Sequence, residues 1–174
     1  DFGLSIELNK TEFIDTKTIG TRVFISPEIY KHNKYSKSSD VYSFGLLVYE
    51  IMNKKYPFED FKEVNDQCQF AYSLCSKSNF RPKFNKNIPK RYKELIESCW
   101  SDNPEERPTF EKIVNDLRND SKFITNDIDK NKFNEYIQFI ESKKGNKKLI
   151  DSNFPFHMID LLSIYKEIQE ALIE

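Results

Sequence analysis

Ser39-Asp40-Val41-Tyr42-Ser43-Phe44-Gly45-Leu46-Leu47-Val48-Tyr49-Glu50-Ile51-Met52 decides how this 174-residue chain is to be read. The stretch runs past ten residues without proline, and Asn53-Lys54-Lys55 follows as a stop, so a helix is predicted over about 39–53. Ser38 or Ser39 is placed to cap its start, where a hydroxyl accepts from amides that have no partner inside the helix. A polar face is nearly missing, which is the pattern of a helix buried all round, with others packed about it. Gly45 costs about 1 kcal/mol against alanine in a helix interior, so close approach of another backbone is its expected reason. Asp40 stands apart, because a carboxylate opening a buried helix needs donors from elsewhere in the fold.

Four other segments stand in order around this helix. Asp1-Phe2-Gly3 opens the chain; Gly20-Thr21 follows and, after four residues, Ser26-Pro27-Glu28. Pro57-Phe58 comes after the helix, and Cys99-Trp100-x-x-Asn103-Pro104-x-x-Arg107-Pro108-Thr109-Phe110 closes the set. Together they resemble the large lobe of eukaryotic protein kinases. Asp1-Phe2-Gly3 is similar to the metal-binding D-F-G, Ser26-Pro27-Glu28 to A-P-E with Ser for Ala, and D-V-Y-S-F-G-x-x-x-Y-E-I to the central helix. The C-W-x-x-x-P-x-x-R-P-x-F form is most similar to the tyrosine-kinase-like and tyrosine kinase groups. The resemblance covers residues 1–118, with an activation segment over 1–28. It implies a mainly α fold, the helical large lobe built around a buried central helix, with the small lobe absent. Residues 119–174 lie outside it and read as a helical C-terminal extension.

The resemblance also implies roles. Asp1 would hold Mg²⁺, for which a hard carboxylate oxygen is the right ligand type. Thr21, after Gly20, resembles the threonine of Ser/Thr kinases that lies beside the catalytic aspartate and shapes the substrate site; Arg22 departs from that pattern, which commonly has Pro. Glu28 and Arg107 would form a buried ion pair, arginine being suited because its planar fork holds both carboxylate oxygens. Thr11, Thr16 and Thr18 are candidate phosphosites, since a phosphate adds charge able to order a loop against basic groups. The glycine-rich loop, the ATP lysine and the H-R-D catalytic base belong before D-F-G and are not in this sequence. No catalytic residue is therefore assigned here. ATP and Mg²⁺ are expected only in an intact parent, and Asp1 as first residue suggests a partial sequence.

Two function classes stay open: the large-lobe part of an ATP-dependent kinase acting on Ser/Thr of protein substrates, or a non-catalytic (pseudokinase or truncated) interaction module. Lys plus Arg number 27 and Asp plus Glu 28, a net charge of −1, which argues against nucleic-acid or membrane-surface partners. No apolar run is long enough to span a membrane, and a cytoplasmic setting is expected. The three cysteines lack metal-ligand spacing; Cys68, Cys75 and Cys99 fall on helical faces and read as core.

Residues 1–25 read as a loop punctuated by Gly3 and Gly20. Helices are predicted over about 62–77, from Pro89 to about Trp100, and from Pro108, with Phe110, Ile113, Val114 and Leu117 inward. In the tail, Phe133, Tyr136, Ile137 and Ile140 repeat helical spacing after an Asp129 or Asn131 cap. A loop is predicted over 142–148, then a last helix from Asn153-Phe154-Pro155 carrying Ile159, Leu162, Tyr165, Ile168 and Leu172. These helices either pack on the lobe or dock a partner.

Overall fold

A computed structural model describes residues 14–15, 20–77, 79–85, 87–125 and 129–144. Among them the chain is mostly helical. The helices are α1 (Pro27–His32), α2 (Lys37–Asn53), α3 (Gln67–Ser76), α4 (Lys90–Cys99), α5 (Phe110–Asn119) and α6 (Lys130–Lys144). The strand content described is one short antiparallel pair. In it β1 (Ile14–Asp15) meets β2 (Lys34–Tyr35), with Ile14 opposite Tyr35. Two compact units divide at Asp127 and Ile128.

In the first unit, α2 packs chiefly against α4, and α1 against α3. The start of α2 lies earlier than Ser38 or Ser39: Ser36 is the N-cap, and its amide donates to Ser39 Oγ at 3.3 Å. Lys54 ends the helix in the left-handed region, at φ 52°. Val41, Tyr42, Gly45, Leu46 and Tyr49 of α2 are buried. Each large aliphatic side chain among them stabilises the fold by about 1.5–3 kcal/mol through removal from water. Gly45 is where α4 comes closest, for a Cβ built there would lie 2.6 Å from Cys99 Cβ. One stripe stays open: Asp40, Leu47 and Ile51, spaced i, i+7, i+11, are exposed.

Tyr42, Leu46, Tyr49, Phe58, Phe70, Leu74, Ile96 and Trp100 make one buried cluster, and Val41, Leu95, Cys99, Ile113 and Phe123 a second. Phe58 sits at φ 61°, a region costly for a bulky residue, and its ring packs 5.0 Å from Phe70 and 5.2 Å from Phe80. Phe123 belongs to this unit, because Tyr92 Oη donates to its carbonyl at 2.9 Å and the two rings meet edge-on at 5.1 Å.

Several boundaries differ from the sequence reading. Residues 22–24 form a 3-10 turn within the stretch read as loop. Helix α3 starts at Gln67 rather than near 62, because Asp66 caps it by accepting from Gln69 N at 3.0 Å. Helix α5 starts after Pro108, at Phe110, with Thr109 Oγ1 accepting from Lys112 N. Of its apolar stripe, Ile113 is buried and Leu117 half-buried, whereas Phe110 and Val114 are exposed. Cys99 is core, Cys75 is half-buried and Cys68 is exposed, so helical spacing alone over-assigned the core.

In the second unit, α6 opens at Asp129, whose Oδ1 accepts from Asn131 N at 2.8 Å. It continues to Lys144, past the start of the loop read from Ser142. Phe133 and Ile137 are half-buried and Tyr136 exposed. The helix read from Asn153 lies outside the described residues.

Candidate functional site

The site is built on the turn that precedes α1. Gly20 takes φ 130°, a backbone conformation that other residues rarely adopt, and hands the chain to Thr21. Thr21 is exposed and opens the 3-10 turn Arg22–Phe24, with Phe24 N donating to its carbonyl at 2.9 Å. Three side-chain bonds hold this turn. Arg22 Nη1 donates to Val64 O at 3.0 Å, Tyr30 Oη to Arg22 O at 3.0 Å, and Ser43 Oγ of α2 to Phe24 O at 2.8 Å. Burial pushes the Tyr30 hydroxyl up to about 12, so it stays a neutral donor at ordinary pH.

Behind the turn, buried Ser26 stands at the N-cap position of α1 without a side-chain capping bond, Pro27 fills the first helical position, and Glu28 lies in the first turn. Arg107 closes on Glu28 with both ends of its fork: Nη1 to Oε1 at 2.7 Å and Nη2 to Oε2 at 2.9 Å. The Arg107 side chain is 0% exposed and that of Glu28 14%, which places the pair among buried rather than surface salt bridges. Its other donors are also used, Nη1 to Ser38 O at 2.9 Å and Nε to Ser101 O at 3.0 Å. Ser39 Oγ donates to Glu28 Oε1 at 2.9 Å. Burial works against the Glu28 anion, but the hydrogen bonds and charge of Arg107 outweigh it and hold the carboxyl below its ordinary value.

The Tyr42 ring lies between two guanidiniums, Arg107 at 5.1 Å and Arg81 at 5.4 Å from its centroid. Arg81 in turn donates twice to Trp100 O, at 2.9 and 2.7 Å, and pairs with Asp102. A cation at that carbonyl also suits the C-terminal end of α4. The path from the Thr21 turn through Glu28 to Arg107 and Tyr42 thus ends on the central helix.

Asp40 is exposed in the first turn of α2 and meets no donor among the described residues. Asp1, Thr11, Thr16 and Thr18 lie outside the described residues. Among the described residues no group of three or more His, Cys, Asp or Glu could hold a metal ion. Sequence reasoning missed Ser39, Tyr42, Ser43 and Arg81 as members of this network. Tyr42 and Ser43 lie within the quoted helix and only look like helix content; Arg81 lies in an extended link with no periodicity.

A family model described as protein kinase domain matches residues 1–117. The chain belongs to the protein kinase family. This kinase domain is 33% identical over 125 residues to a probable LIM domain-containing serine/threonine-protein kinase of Dictyostelium discoideum, covering 72% of this chain and 12% of that protein. It is 37% identical over 120 residues to the dual specificity protein kinase shkA of the same organism, covering 67% of this chain and 22% of that protein. With the dual specificity protein kinase splA the figures are 31% over 118 residues, 68% and 5%. The chain therefore spans between 5% and 22% of the length of these relatives. No helix among the described residues of this kinase domain is long and apolar enough to cross a membrane.

Proposed function

We propose that residues 1–117 form the substrate-binding helical lobe of an ATP-dependent protein kinase that phosphorylates Ser and Thr of protein substrates, and that this chain by itself does not transfer phosphate. The observation that carries the reading is the buried, two-pronged Glu28–Arg107 pair, which ties the segment beginning at Thr21 to the lobe. Exposed Thr21 on a turn held by three side-chain bonds suits a residue that meets an extended peptide. Asp1 is the residue for Mg²⁺, and Asp40 keeps its carboxylate free for donors from the part of the kinase that carries the catalytic base. When bound, Mg²⁺ bridges phosphate oxygens and offsets the charge that builds up in transfer. Within this chain, the contribution to catalysis is positional: Glu28, Arg107 and Ser43 keep the Thr21 turn from moving. Thr11, Thr16 and Thr18 are proposed as regulatory phosphosites, and the C-terminal extension read from 119, in its part beyond Asp127, as able to dock a partner.

The relatives include kinases named for serine/threonine and for dual specificity, which leaves hydroxyl selectivity to experiment. A kinase domain containing these residues and the preceding lobe, given ATP, Mg²⁺ and mixed Ser, Thr and Tyr peptides, should yield phosphoserine and phosphothreonine. Phosphotyrosine as the main product overturns the Ser/Thr assignment. Absence of transfer to any peptide overturns the enzyme reading in favour of an interaction module.

A further inference from the structure

Three tyrosines of the lobe send their hydroxyl to a backbone carbonyl: Tyr30 to Arg22 O at 3.0 Å, Tyr49 to Lys83 O at 2.8 Å and Tyr92 to Phe123 O at 2.9 Å. Tyr42 of α2 lies deeper than any of them, at 0% exposed, yet its Oη meets no hydrogen-bond partner among the described residues. A hydroxyl taken out of water without a new partner is costly, and buried polar groups in folded proteins are seldom left so. Burial pushes this hydroxyl well above its ordinary value, so it keeps its proton and stands as a donor.

The groups around the ring explain why no protein atom serves it. The guanidiniums of Arg107 and Arg81 stand 5.1 and 5.4 Å from the ring centroid. A guanidinium has donors only, so neither can accept from the hydroxyl. Both are also committed elsewhere. Arg81 donates from Nε and Nη2 to Trp100 O and from Nη1 to Phe80 O, and Arg107 from Nε to Ser101 O and from Nη1 and Nη2 to Glu28. The carboxylates whose charge reaches the hydroxyl, Glu28 and Asp102, are each held by one of these arginines. Asp102 is 51% exposed and open to solvent, whereas Glu28 is 14% exposed. A water is the smallest group that can accept from a hydroxyl and donate onward to a carboxylate. We propose that the lobe holds a buried water, which accepts from Tyr42 Oη and donates to the Glu28 carboxylate. The central helix is then joined to the Glu28–Arg107 pair by a bound water as well as by the guanidinium against the Tyr42 ring.

Two measurements on the full 174-residue chain and its Tyr42→Phe variant test it. Oxygen-17 magnetic relaxation dispersion counts the waters that stay inside a protein far longer than those at its surface, and urea denaturation reads stability. Tyr42→Phe should lose about one long-lived water. Its urea midpoint should fall by about 0.5 M, the share of one hydrogen bond at an ordinary m-value. Without a bound water the variant would only remove an unmet hydroxyl, and the midpoint would hold or rise. A midpoint that holds or rises, or an unchanged water count, overturns the proposal. Tyr49→Phe is the control, because it breaks a direct bond to Lys83 O: its midpoint should fall while the water count holds. Loss of the same water in Tyr49→Phe also overturns the assignment to Tyr42. Neither readout involves phosphotransfer, so the outcome is independent of which hydroxyls the kinase phosphorylates.

Discussion

Truncating Arg107 to Ala should cost the fold a large part of its stability. The substitution removes a side chain that is fully buried and donates to Glu28, Ser38 O and Ser101 O. Glu28 would keep Ser39 Oγ as a donor but lose its counter-charge while still largely shielded from water. Removing one partner of a buried pair costs about 3–5 kcal/mol, and a domain has only about 5–15 kcal/mol in all. Urea denaturation of the chain is the assay. With an m-value of about 2 kcal/mol/M the midpoint should fall by about 2 M. Glu28→Gln should lose a comparable amount, since it leaves the fully buried Arg107 guanidinium without its counter-charge. A double-mutant cycle over the two positions should return a coupling of about 2 kcal/mol. A loss below about 1 kcal/mol for Arg107→Ala, the size expected of an exposed pair, would refute the reasoning.

Three further outcomes are expected. Arg107 holds the Glu28 carboxyl below its ordinary value, so the stability it supplies is complete above the ordinary carboxylate range and is lost as pH falls through the lower folded value; thermal melts across acid pH should show this loss, and Glu28→Gln should flatten it. Gly45→Ala should destabilise by about 1–3 kcal/mol despite alanine's better helix propensity, because the new Cβ meets Cys99 Cβ at 2.6 Å, and Cys99→Ala, which keeps that Cβ, should bring no relief in the urea midpoint. Thr21→Ala should leave the melting temperature unchanged, Thr21 being exposed, while phosphotransfer by the intact kinase domain falls on the order of tenfold, the size of one lost transition-state hydrogen bond.

The central helix is legible in the sequence because its content is unambiguous: a long apolar stretch with one glycine and no proline reads as a buried helix whatever surrounds it. The Glu28–Arg107 link is a different matter. No periodicity joins residues 79 positions apart, and only the resemblance of their two motifs to those of protein kinases implies that they meet. Ser39 illustrates what stays hidden, since a serine at a helix start reads as a cap, and the structure also gives it a buried carboxylate to serve. Arg22 is visible only as a departure from a pattern; its bond to Val64 O depends on how the segment before α3 turns, which Asp66 sets through a local cap. Cys68, Phe110 and Val114 mark the converse error. Helical spacing says which residues share a face, but not how far the neighbouring helix extends over it.

Hydrogen exchange along α2 in the 174-residue chain tests the central claim most directly, that the lobe is organised around this helix. The account expects the amides from Tyr42 to Tyr49 to be the slowest in the molecule, opening only with global unfolding. Exchange there as fast as in the short turn at Ser121–Phe123 would contradict it.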